Sequence, residues 1–436
     1  MSSPVFMTTL EDSLSITQPY LIAKPVSIGI VYLTIFLKVI FLSRRESIKT
    51  NAAMPIVLPA DREAQHETAP QPAKNLPLCR QGSPFQLPSL HCQPVQSTST
   101  TCHRPAYRGG DKPMAMEKAA SFLSSLIGGG GGEPAATVKS ILIYPIKSCR
   151  GIAVPQAPIA STGFLWDRQW VVVNAKGRAY TQRVEPKLAL VQVDMPPEAF
   201  AEGWHPTADD HMVITAPGMD PLKIPLAAEC ATIDDVSVWE WSGSAYDEGA
   251  EAAEWFSTYF EKPSQLVRFK EASETRSCFQ DYSPGYKIMF SDCFPFLIAS
   301  QGSLDALNEI LKEPVPMNRF RPNILVDGCH PYSEDLWKTI KINNLTFEGV
   351  KLCNRCKVPN INQDNGIHGA EPTETLLTFR SDEVLRPSHK NTRQVYFGQN
   401  LVCKESLSGK GKGKIIKVGD PVYVLQAFAS ANEAPA

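Results

Sequence analysis

The chain has 436 residues, which is enough for two or three domains, and its 43 Lys and Arg residues nearly balance its 45 Asp and Glu residues. The resulting net charge of -2 gives no electrostatic case for nucleic-acid binding. The 11 cysteines are irregularly spaced in a long chain, unlike those of a small secreted domain, so we expect free thiols in a reducing compartment.

Residues 1–113 differ in character from the rest of the chain. The apolar run at 26–43 is near the lower length limit for a membrane span and is followed by Arg44 and Arg45, so it can act as a signal anchor. Residues 51–113 are rich in Pro, Gln, Ser and Thr without helical or strand periodicity, which predicts disorder.

A second interpretation treats this extension as dispensable, because Met114 or Met116 opens an alternative start. Residues 114–137 then form a short helix followed by a linker that contains five consecutive glycines. At the other end of the chain, residues 428–436 are predicted to form a flexible tail.

Short β-type runs alternate with turn signals from residue 138 onward, in two unequal blocks. In the first block we predict an antiparallel sheet or barrel with a hairpin loop at 174–177. One helix follows, with Asp247 as its cap and Ala252, Trp255, Phe256 and Phe260 on its buried face. The strands predicted in this block are 140–144, 169–173, 188–193, 212–215, 236–241 and 266–269.

The second block begins with a strand at 295–299 and a helix that Ser300 or Ser303 caps, with Leu304, Leu307 and Leu311 on its buried side. The further strands predicted are 323–326, the pair 339–342 and 345–350, and a strand at 415–418 that turns into 422–425. Both blocks are dominated by β-structure, so the predicted fold class is β-rich α+β.

The strand predicted at 345–350 leads into Cys353-Asn-Arg-Cys356, and Pro359 follows. A redox dithiol favours a helix N-terminus for its first thiolate, which Pro359 opposes. Structural zinc needs four ligands, and only scattered cysteines can complete the pair: Cys293, Cys329 and Cys403. Two further interpretations stay open: two cysteines without a task, and one thiolate on a soft metal held mainly by another ligand.

Three basic positions stand at the edges of apolar runs: Lys147, which precedes Ser148, and the arginines Arg168 and Arg321. Each has a structural alternative, since Arg168 can pair with Asp167 and Lys147 can point to water. Together they suit a doubly charged phosphate, because arginine offers a bidentate fork, lysine a point charge and serine a hydroxyl donor.

Six motifs occur in a fixed order within residues 138–427. They are Ile143-Tyr-Pro-Ile-Lys-Ser-Cys-Arg-Gly151, Asp167-Arg-Gln-Trp170, Phe320-Arg-Pro-Asn323, Cys353-Asn-Arg-Cys356, Phe397-Gly-Gln-Asn400 and Ile416-Lys-Val-Gly-Asp-Pro-Val-Tyr423. In this order they resemble the MOSC-domain proteins of the mitochondrial amidoxime-reducing component type, which are related to the C-terminal domain of molybdenum cofactor sulfurase. The resemblance implies an N-terminal MOSC-associated β-barrel domain at 138–270, followed by a MOSC β-barrel domain with short helices at 271–427.

The resemblance also implies a molybdenum cofactor, in which molybdenum is held by the dithiolene of a phosphate-bearing pterin (Mo-molybdopterin). The second cysteine of the Cys-x-Arg-Cys motif is the molybdenum ligand in that family, and it corresponds to Cys356. Pterin or phosphate contacts carry over to Lys147, Ser148, Arg168 and Arg321. Neighbouring positions expected at the cofactor are Asn354, Arg355 and Asn400.

The activity implied is reduction of N-hydroxylated small molecules such as amidoximes, hydroxylamines and N-oxides. Electrons are then expected from a b-type haem cytochrome and its NADH-dependent flavin reductase, since no flavin, haem or nicotinamide motif is visible in the chain. If 26–43 is an anchor, the family's precedent is the mitochondrial outer membrane; otherwise the folded part is expected to be soluble.

Two other readings of the sequence differ in function. A stand-alone relative of the sulfurase can carry or sulfurate the cofactor without turning over a substrate, and a membrane-tethered binding module can hold zinc through its cysteines. The chain also departs from the animal members of the family. A Thr-Ser pair that contacts the cofactor there is replaced by Cys293 and Phe294, and the residues after Cys356 are 357–359, Lys-Val-Pro.

Overall fold

The computed structural model describes residues 132–408 and 413–436, which belong to a compact unit spanning Pro105–Ala436. The predicted anchor at 26–43, the predicted disorder at 51–113 and the helix predicted before the glycine run lie outside the described residues. Among the helices that the structure describes, none is both long and apolar enough to cross a membrane.

Within these ranges the chain forms four short α-helices and twenty strands. The helices are α1 (Ala250–Phe260), α2 (Gln301–Asn308), α3 (Thr373–Phe379) and α4 (Asp382–Leu385). The strands are β1 (Ala136–Ile143), β2 (Ile152–Val154), β3 (Gln156–Ala160), β4 (Gly163–Phe164), β5 (Trp170–Asn174), β6 (Gln192–Asp194), β7 (His211–Thr215), β8 (Leu222–Pro225), β9 (Ala231–Val238), β10 (Trp241–Asp247), β11 (Ser264–Phe269), β12 (Arg276–Ser277), β13 (Lys287–Ile288), β14 (Phe296–Ser300), β15 (Ile324–Asp327), β16 (Trp337–Ile342), β17 (Leu345–Asn354), β18 (Tyr396–Cys403), β19 (Ile415–Lys417) and β20 (Pro421–Ala427).

Seven strands close into a barrel in the order β15-β14-β18-β17-β16-β20-β1, because β1 pairs with β20 on one side and with β15 on the other. Neighbouring strands are antiparallel except β14 and β15, whose parallel pairing is allowed by the crossover through α2. Apolar residues such as Ile141, Phe296 and Phe347 are fully buried in the core. The barrel and the few short helices confirm the predicted β-rich fold class.

Four further strands, β5-β11-β10-β9, form a separate antiparallel sheet. Helix α1 packs against β11 and buries the residues predicted for its inner face: Ala252, Trp255, Phe256 and Phe260. In α2, Ser300 is the N-cap, since its hydroxyl accepts a hydrogen bond from the Ser303 amide (3.1 Å). The residues predicted for the buried side of this helix, Leu304, Leu307 and Leu311, are all buried.

Three local predictions are wrong. The strand predicted at 188–193 is a single 3-10 turn, Pro186–Leu190, followed by β6, because Pro186 has no N–H for a strand ladder and Glu185 caps the turn. Gly249, not Asp247, is the N-cap of α1; the Asp247 carboxylate instead accepts the Gly249 N–H at 3.0 Å.

The third error concerns the strand predicted at 236–241, which contains the two-residue hairpin loop 239–240 between β9 and β10. The predicted turn from the strand at 415–418 into 422–425 is confirmed. Strand β19 pairs with β3, whereas β20 joins the barrel between β16 and β1. A turn at 419–420 is present, but the two strands belong to different sheets, because their hydrogen-bonding partners come from distant parts of the chain.

Residues 428–436, for which the sequence predicts a flexible tail, lie along β17. The Leu352 amide donates to the Pro435 carbonyl at 2.7 Å, and Ala434 is fully buried beside Leu352 and Tyr396. The Tyr282 hydroxyl also donates to the Ala436 carbonyl at 3.0 Å. The tail therefore supports β17, the strand that contains Cys353.

Candidate functional site

A cavity of about 750 Å³ lies where the ends of β1 and β17, the turn between β9 and β10, and the segments before β5, β14 and β15 meet. It is lined by all eight residues that the sequence nominates for the metal or the cofactor: Lys147, Ser148, Arg168, Arg321, Asn354, Arg355, Cys356 and Asn400. The structure thus brings together positions from five separate sequence motifs. Their roles at this site remain a prediction.

Three of these residues have a left-handed backbone, with φ of 69° at Ser148, 49° at Arg168 and 55° at Arg321. This conformation costs a residue other than glycine roughly 1–3 kcal/mol, and it persists only where the surrounding structure enforces it. Such strain clusters at binding and catalytic sites more often than elsewhere. Three of the eight nominated residues therefore have a strained backbone.

The two arginines are positioned by Tyr144 and Asp167. The Tyr144 ring centroid lies 4.2 Å from the Arg168 guanidinium carbon and 4.3 Å from that of Arg321. Asp167 forms an ion pair with Arg168 and accepts hydrogen bonds from the Tyr144 amide (2.9 Å) and the Asn323 side chain (3.1 Å). One buried carboxylate thus connects three elements that surround the two guanidinium groups.

Burial is the largest influence on the pKa values of Asp167 and Tyr144. It raises the pKa of the Asp167 carboxyl, and the Arg168 guanidinium and the hydrogen bonds from Arg168, Tyr144 and Asn323 oppose that rise. Burial likewise raises the pKa of the Tyr144 hydroxyl, which donates to the Pro322 carbonyl at 3.0 Å. Tyr144 therefore stays neutral and acts as a rigid aromatic support for the two cations.

The Lys147 ammonium is buried and held by two partners, the Phe290 carbonyl at 2.8 Å and the Asp292 carboxylate. Burial lowers the Lys147 pKa, and Asp292 opposes that effect. Desolvation raises the pKa of the Asp292 carboxyl, but the Lys147 ammonium and the Trp239 indole N–H outweigh it and hold this pKa below its usual range. The loop before β14 is fixed from its other side by Arg276, which donates to the carbonyls of residues 289, 291 and 292.

The two cysteines of the Cys-x-Arg-Cys motif have different environments. The Cys353 thiol accepts a hydrogen bond from the Arg355 guanidinium at 3.0 Å and is partly buried. Arg355 also donates to the Phe320 carbonyl at 2.8 Å, which ties the end of β17 to the segment before β15. Cys356 is exposed, so the thiol that the sequence nominates for molybdenum is accessible to a ligand in the cavity.

Three of the residues that depart from the animal members of the family also line the cavity. They are Cys293 and Phe294, before β14, and Val358, after Cys356. Burial, reinforced by the neighbouring Asp292 carboxylate, raises the pKa of the Cys293 thiol to about 11, so this sulfur is protonated at neutral pH. Asn400 stands on β18, which is adjacent to β17 in the barrel, and its side-chain amide donates to the Lys351 carbonyl at 3.2 Å.

A buried pair of glutamines joins the two loops on which the predicted ligands stand. The side-chain amides of Gln182 and Gln363 bond each other reciprocally at 3.0 Å. Gln182 also donates to the Ser148 carbonyl at 2.7 Å, and Gln363 donates to the Ile361 carbonyl at 3.1 Å. The loop after Cys356 is thereby linked to the Lys147–Ser148 loop.

The cavity is strongly basic. Seven basic side chains line it, Lys147, Arg168, Arg183, Arg276, Arg321, Lys351 and Arg355, against two acidic ones, Glu240 and Asp292. Within the part of the chain that the structure describes, Nη2 of Arg321 and Nε of Arg355 are buried without a hydrogen-bond partner. Both donors can therefore donate to an anionic ligand in the cavity.

The zinc alternative finds no ligand set in the described residues. In the two ranges 132–408 and 413–436, no group of three or more His, Cys, Asp or Glu side chains is arranged to hold a metal. Of the cysteines that would have to complete the pair, Cys293 lines the cavity, whereas Cys403 is buried and donates to Glu405, and Cys329 does not line the cavity. A cofactor that brings its own metal ligands remains compatible with this arrangement, because the chain then needs to supply only one thiol.

Sequence reasoning missed several residues that shape the cavity: Tyr144, Arg183, Trp239, Arg276, Asp292 and Lys351. For Asp167 the sequence indicates only an ion pair with Arg168. The importance of Tyr144 and Asp167 is predictable from the sequence, since each stands inside one of the six motifs. Trp239 and Asp292 carry no local signal, because their importance arises from a contact between distant segments.

Comparison with known proteins identifies two families in chain order, the MOSC N-terminal beta barrel domain at residues 135–263 and the MOSC domain at residues 285–423. The chain is 33% identical over 300 residues to "Mitochondrial amidoxime reducing component 2" of Bos taurus, covering 66% of this chain and 83% of that protein. It is 34% identical over 298 residues to "Mitochondrial amidoxime-reducing component 1" of Mus musculus, covering 82% of that protein. It is 30% identical over 311 residues to "Molybdenum cofactor sulfurase" of Oryza sativa subsp. japonica, but covers only 35% of that protein.

Proposed function

The chain belongs to the MOSC-domain family that includes the mitochondrial amidoxime-reducing components, and on this premise we propose that it is a molybdenum cofactor-dependent oxidoreductase that reduces N-hydroxylated small molecules. One observation carries the proposal: a basic cavity gathers an accessible thiol and seven other residues that the family resemblance assigns to cofactor binding. Relatives with the name of this reductase match over more than four fifths of their length, which supports the same activity class.

The residues present fit the cofactor. A phosphate-bearing pterin is anionic and can accept hydrogen bonds. Nη2 of Arg321 is buried without a hydrogen-bond partner and can donate to such a ligand. Arg168, Arg321 and Ser148 would hold the phosphate and pterin, and the Cys356 thiolate would be the protein's ligand to the metal, which a soft sulfur donor suits. When bound, the cofactor supplies the two electrons that, with two protons, convert an N-hydroxyl group into N–H and water.

The chain's own contribution is position and charge. Tyr144 and Asp167 fix the two arginines, and the Gln182–Gln363 pair fixes the loops that carry Ser148 and Cys356. Lys147 is held in place by Asp292 and the Phe290 carbonyl, which fixes its ammonium at the wall of the cavity. Electrons have to be delivered from outside, and we propose a b-type haem cytochrome with its NADH-dependent flavin reductase as the donor chain.

A second function is favoured by the match to part of the sulfurase. In that case the protein carries or sulfurates the molybdenum cofactor without turning over a substrate. The two functions predict the same bound cofactor, but only the reductase turns over an N-hydroxylated substrate with an electron donor.

The test is elemental analysis of the full chain and its Cys356→Ala variant, produced in a host that makes the molybdenum cofactor. Cys329→Ala is a matched control, because that thiol is partly buried and lies away from the cavity. We expect about one molybdenum per chain in wild type and control, loss of it in Cys356→Ala, and benzamidoxime reduction only in the first two. Molybdenum that is indifferent to Cys356 would refute the ligand assignment, and loaded protein without reductase activity would favour the carrier.

A further inference from the structure

Trp239 stands in a turn where its residue type is unexpected. Strands β9 and β10 pair Val238 with Trp241, so the hairpin has a two-residue loop formed by Trp239 and Glu240. Of these two residues only Trp239 has a positive φ, 57°. Two-residue hairpins of this kind favour glycine at the first loop position, since a side chain is strained there. The chain therefore holds a large aromatic residue at a position that glycine would occupy without strain.

The strained turn presents the indole to the cavity and does not bury it in a core. Trp239 lines the cavity and is 48% exposed, although tryptophan is buried in most of its environments. Phe279, 47% exposed, is a second large aromatic residue in the same lining. The positive φ is unfavourable for a residue with a side chain, and the exposed ring leaves apolar surface in water. A residue that is kept at both costs indicates a binding role.

Three contacts hold the Trp239 indole in place. Its N–H donates to the Asp292 carboxylate at 3.1 Å, and the Arg183 guanidinium carbon lies 4.4 Å from its ring centroid. The Lys147 ammonium is 6.0 Å from the same centroid. The indole is therefore fixed next to the ion pair between the buried Lys147 and the exposed Asp292. A pre-oriented aromatic surface loses little conformational entropy when a ligand stacks on it.

From these observations we propose that Trp239 is a specificity-determining residue that binds the planar aryl group of the substrate. This inference rests on the proposed reductase function and adds its substrate class: flat aromatic N-hydroxylated compounds that are neutral or anionic. A cationic aryl group is disfavoured, because Arg183 already occupies a face of the indole and basic side chains dominate the lining. An aliphatic substrate offers no flat surface for stacking.

The test compares benzamidoxime with the aliphatic acetamidoxime in wild type, Trp239→Gly and Trp239→Phe. Glycine accepts the positive φ without strain, so the Gly variant should fold, which thermal unfolding checks. We expect the ratio of kcat/KM for benzamidoxime to that for acetamidoxime to fall about five- to tenfold in the Gly variant, the value of one aromatic contact. The Phe variant, which keeps a ring, should lose less than half of that factor. Tyr423→Ala, an exposed aromatic residue outside the cavity lining, is the matched control and should leave the ratio unchanged.

A binding measurement separates this inference from the proposed function. Calorimetric titration of benzamidoxime without an electron donor should show five- to tenfold weaker binding to Trp239→Gly than to wild type, whatever the turnover. Binding that depends on Trp239 in a protein that reduces no substrate would overturn the reductase and keep the aryl site. An unchanged ratio in an active enzyme would overturn the aryl site alone. Loss of molybdenum from the Gly variant would overturn it too, since the indole would then hold the cofactor.

Discussion

Replacing Tyr144 tests whether the aromatic ring, and not only the hydroxyl, positions the two cavity arginines. Tyr144→Phe removes the hydrogen bond to the Pro322 carbonyl and should lower the free energy of unfolding by about 1 kcal/mol. Tyr144→Leu also removes the contacts with Arg168 and Arg321, at 4.2 and 4.3 Å from the ring centroid. At roughly 1–2 kcal/mol for each partly desolvated cation, we expect a total loss of about 3–5 kcal/mol.

The same site offers a double-mutant cycle with Gly151. A Cβ atom at Gly151 would lie 2.5 Å from a ring carbon of Tyr144, so Gly151→Ala must displace the ring. In the Tyr144→Leu background the smaller side chain relieves that contact. We therefore expect Gly151→Ala to be destabilising by at least about 1 kcal/mol more in the wild-type background than in the leucine background.

Urea unfolding followed by tryptophan fluorescence gives these free energies. The molybdenum content of the same preparations shows whether Arg168 and Arg321 still bind the cofactor. Tyr144→Phe should retain its molybdenum, whereas Tyr144→Leu should lose most of it. If the leucine variant is no less stable than the phenylalanine variant, or if the cycle with Gly151 is additive, the ring does not support the arginines and the reasoning fails.

Two further predictions concern buried charges away from the cavity. Asp335→Asn leaves the buried Arg380 cation without its anionic partner and should lower the free energy of unfolding in urea by about 3–5 kcal/mol. The control Asp327→Asn, at the exposed pair with Lys139, should lower it by at most about 1 kcal/mol. Similar losses in the two variants would contradict the argument. Burial, reinforced by the Asp335 charge, raises the pKa of Glu334 to about 7, so the folded state keeps a proton that the unfolded chain releases near pH 4.5. Wild-type stability should therefore fall by roughly 2–3 kcal/mol from pH 5 to pH 8 through this group, and Glu334→Gln should lack that part of the decline; parallel pH profiles would refute it.

Much of the local structure was predictable from short-range patterns. The strand at 266–269, the helix that begins after Ser300 and the buried face of α1 follow from β-branched runs, a capping serine and helical spacing, which depend on neighbouring residues. Pairing partners from distant segments could not be predicted in this way. The segment at 415–418 has strand character, but nothing near it in sequence indicates that it pairs with β3.

The sequence by itself determined the β-rich fold class, the order of six motifs and the eight residues nominated for a metal or cofactor. Only the tertiary structure decided that β1 closes the barrel, that Lys147 pairs with an aspartate 145 residues further on, and that Trp239 faces the cavity. The physical reason is that strand pairing and the burial of charge are stabilised by partners from distant segments, and a linear pattern does not contain their distances.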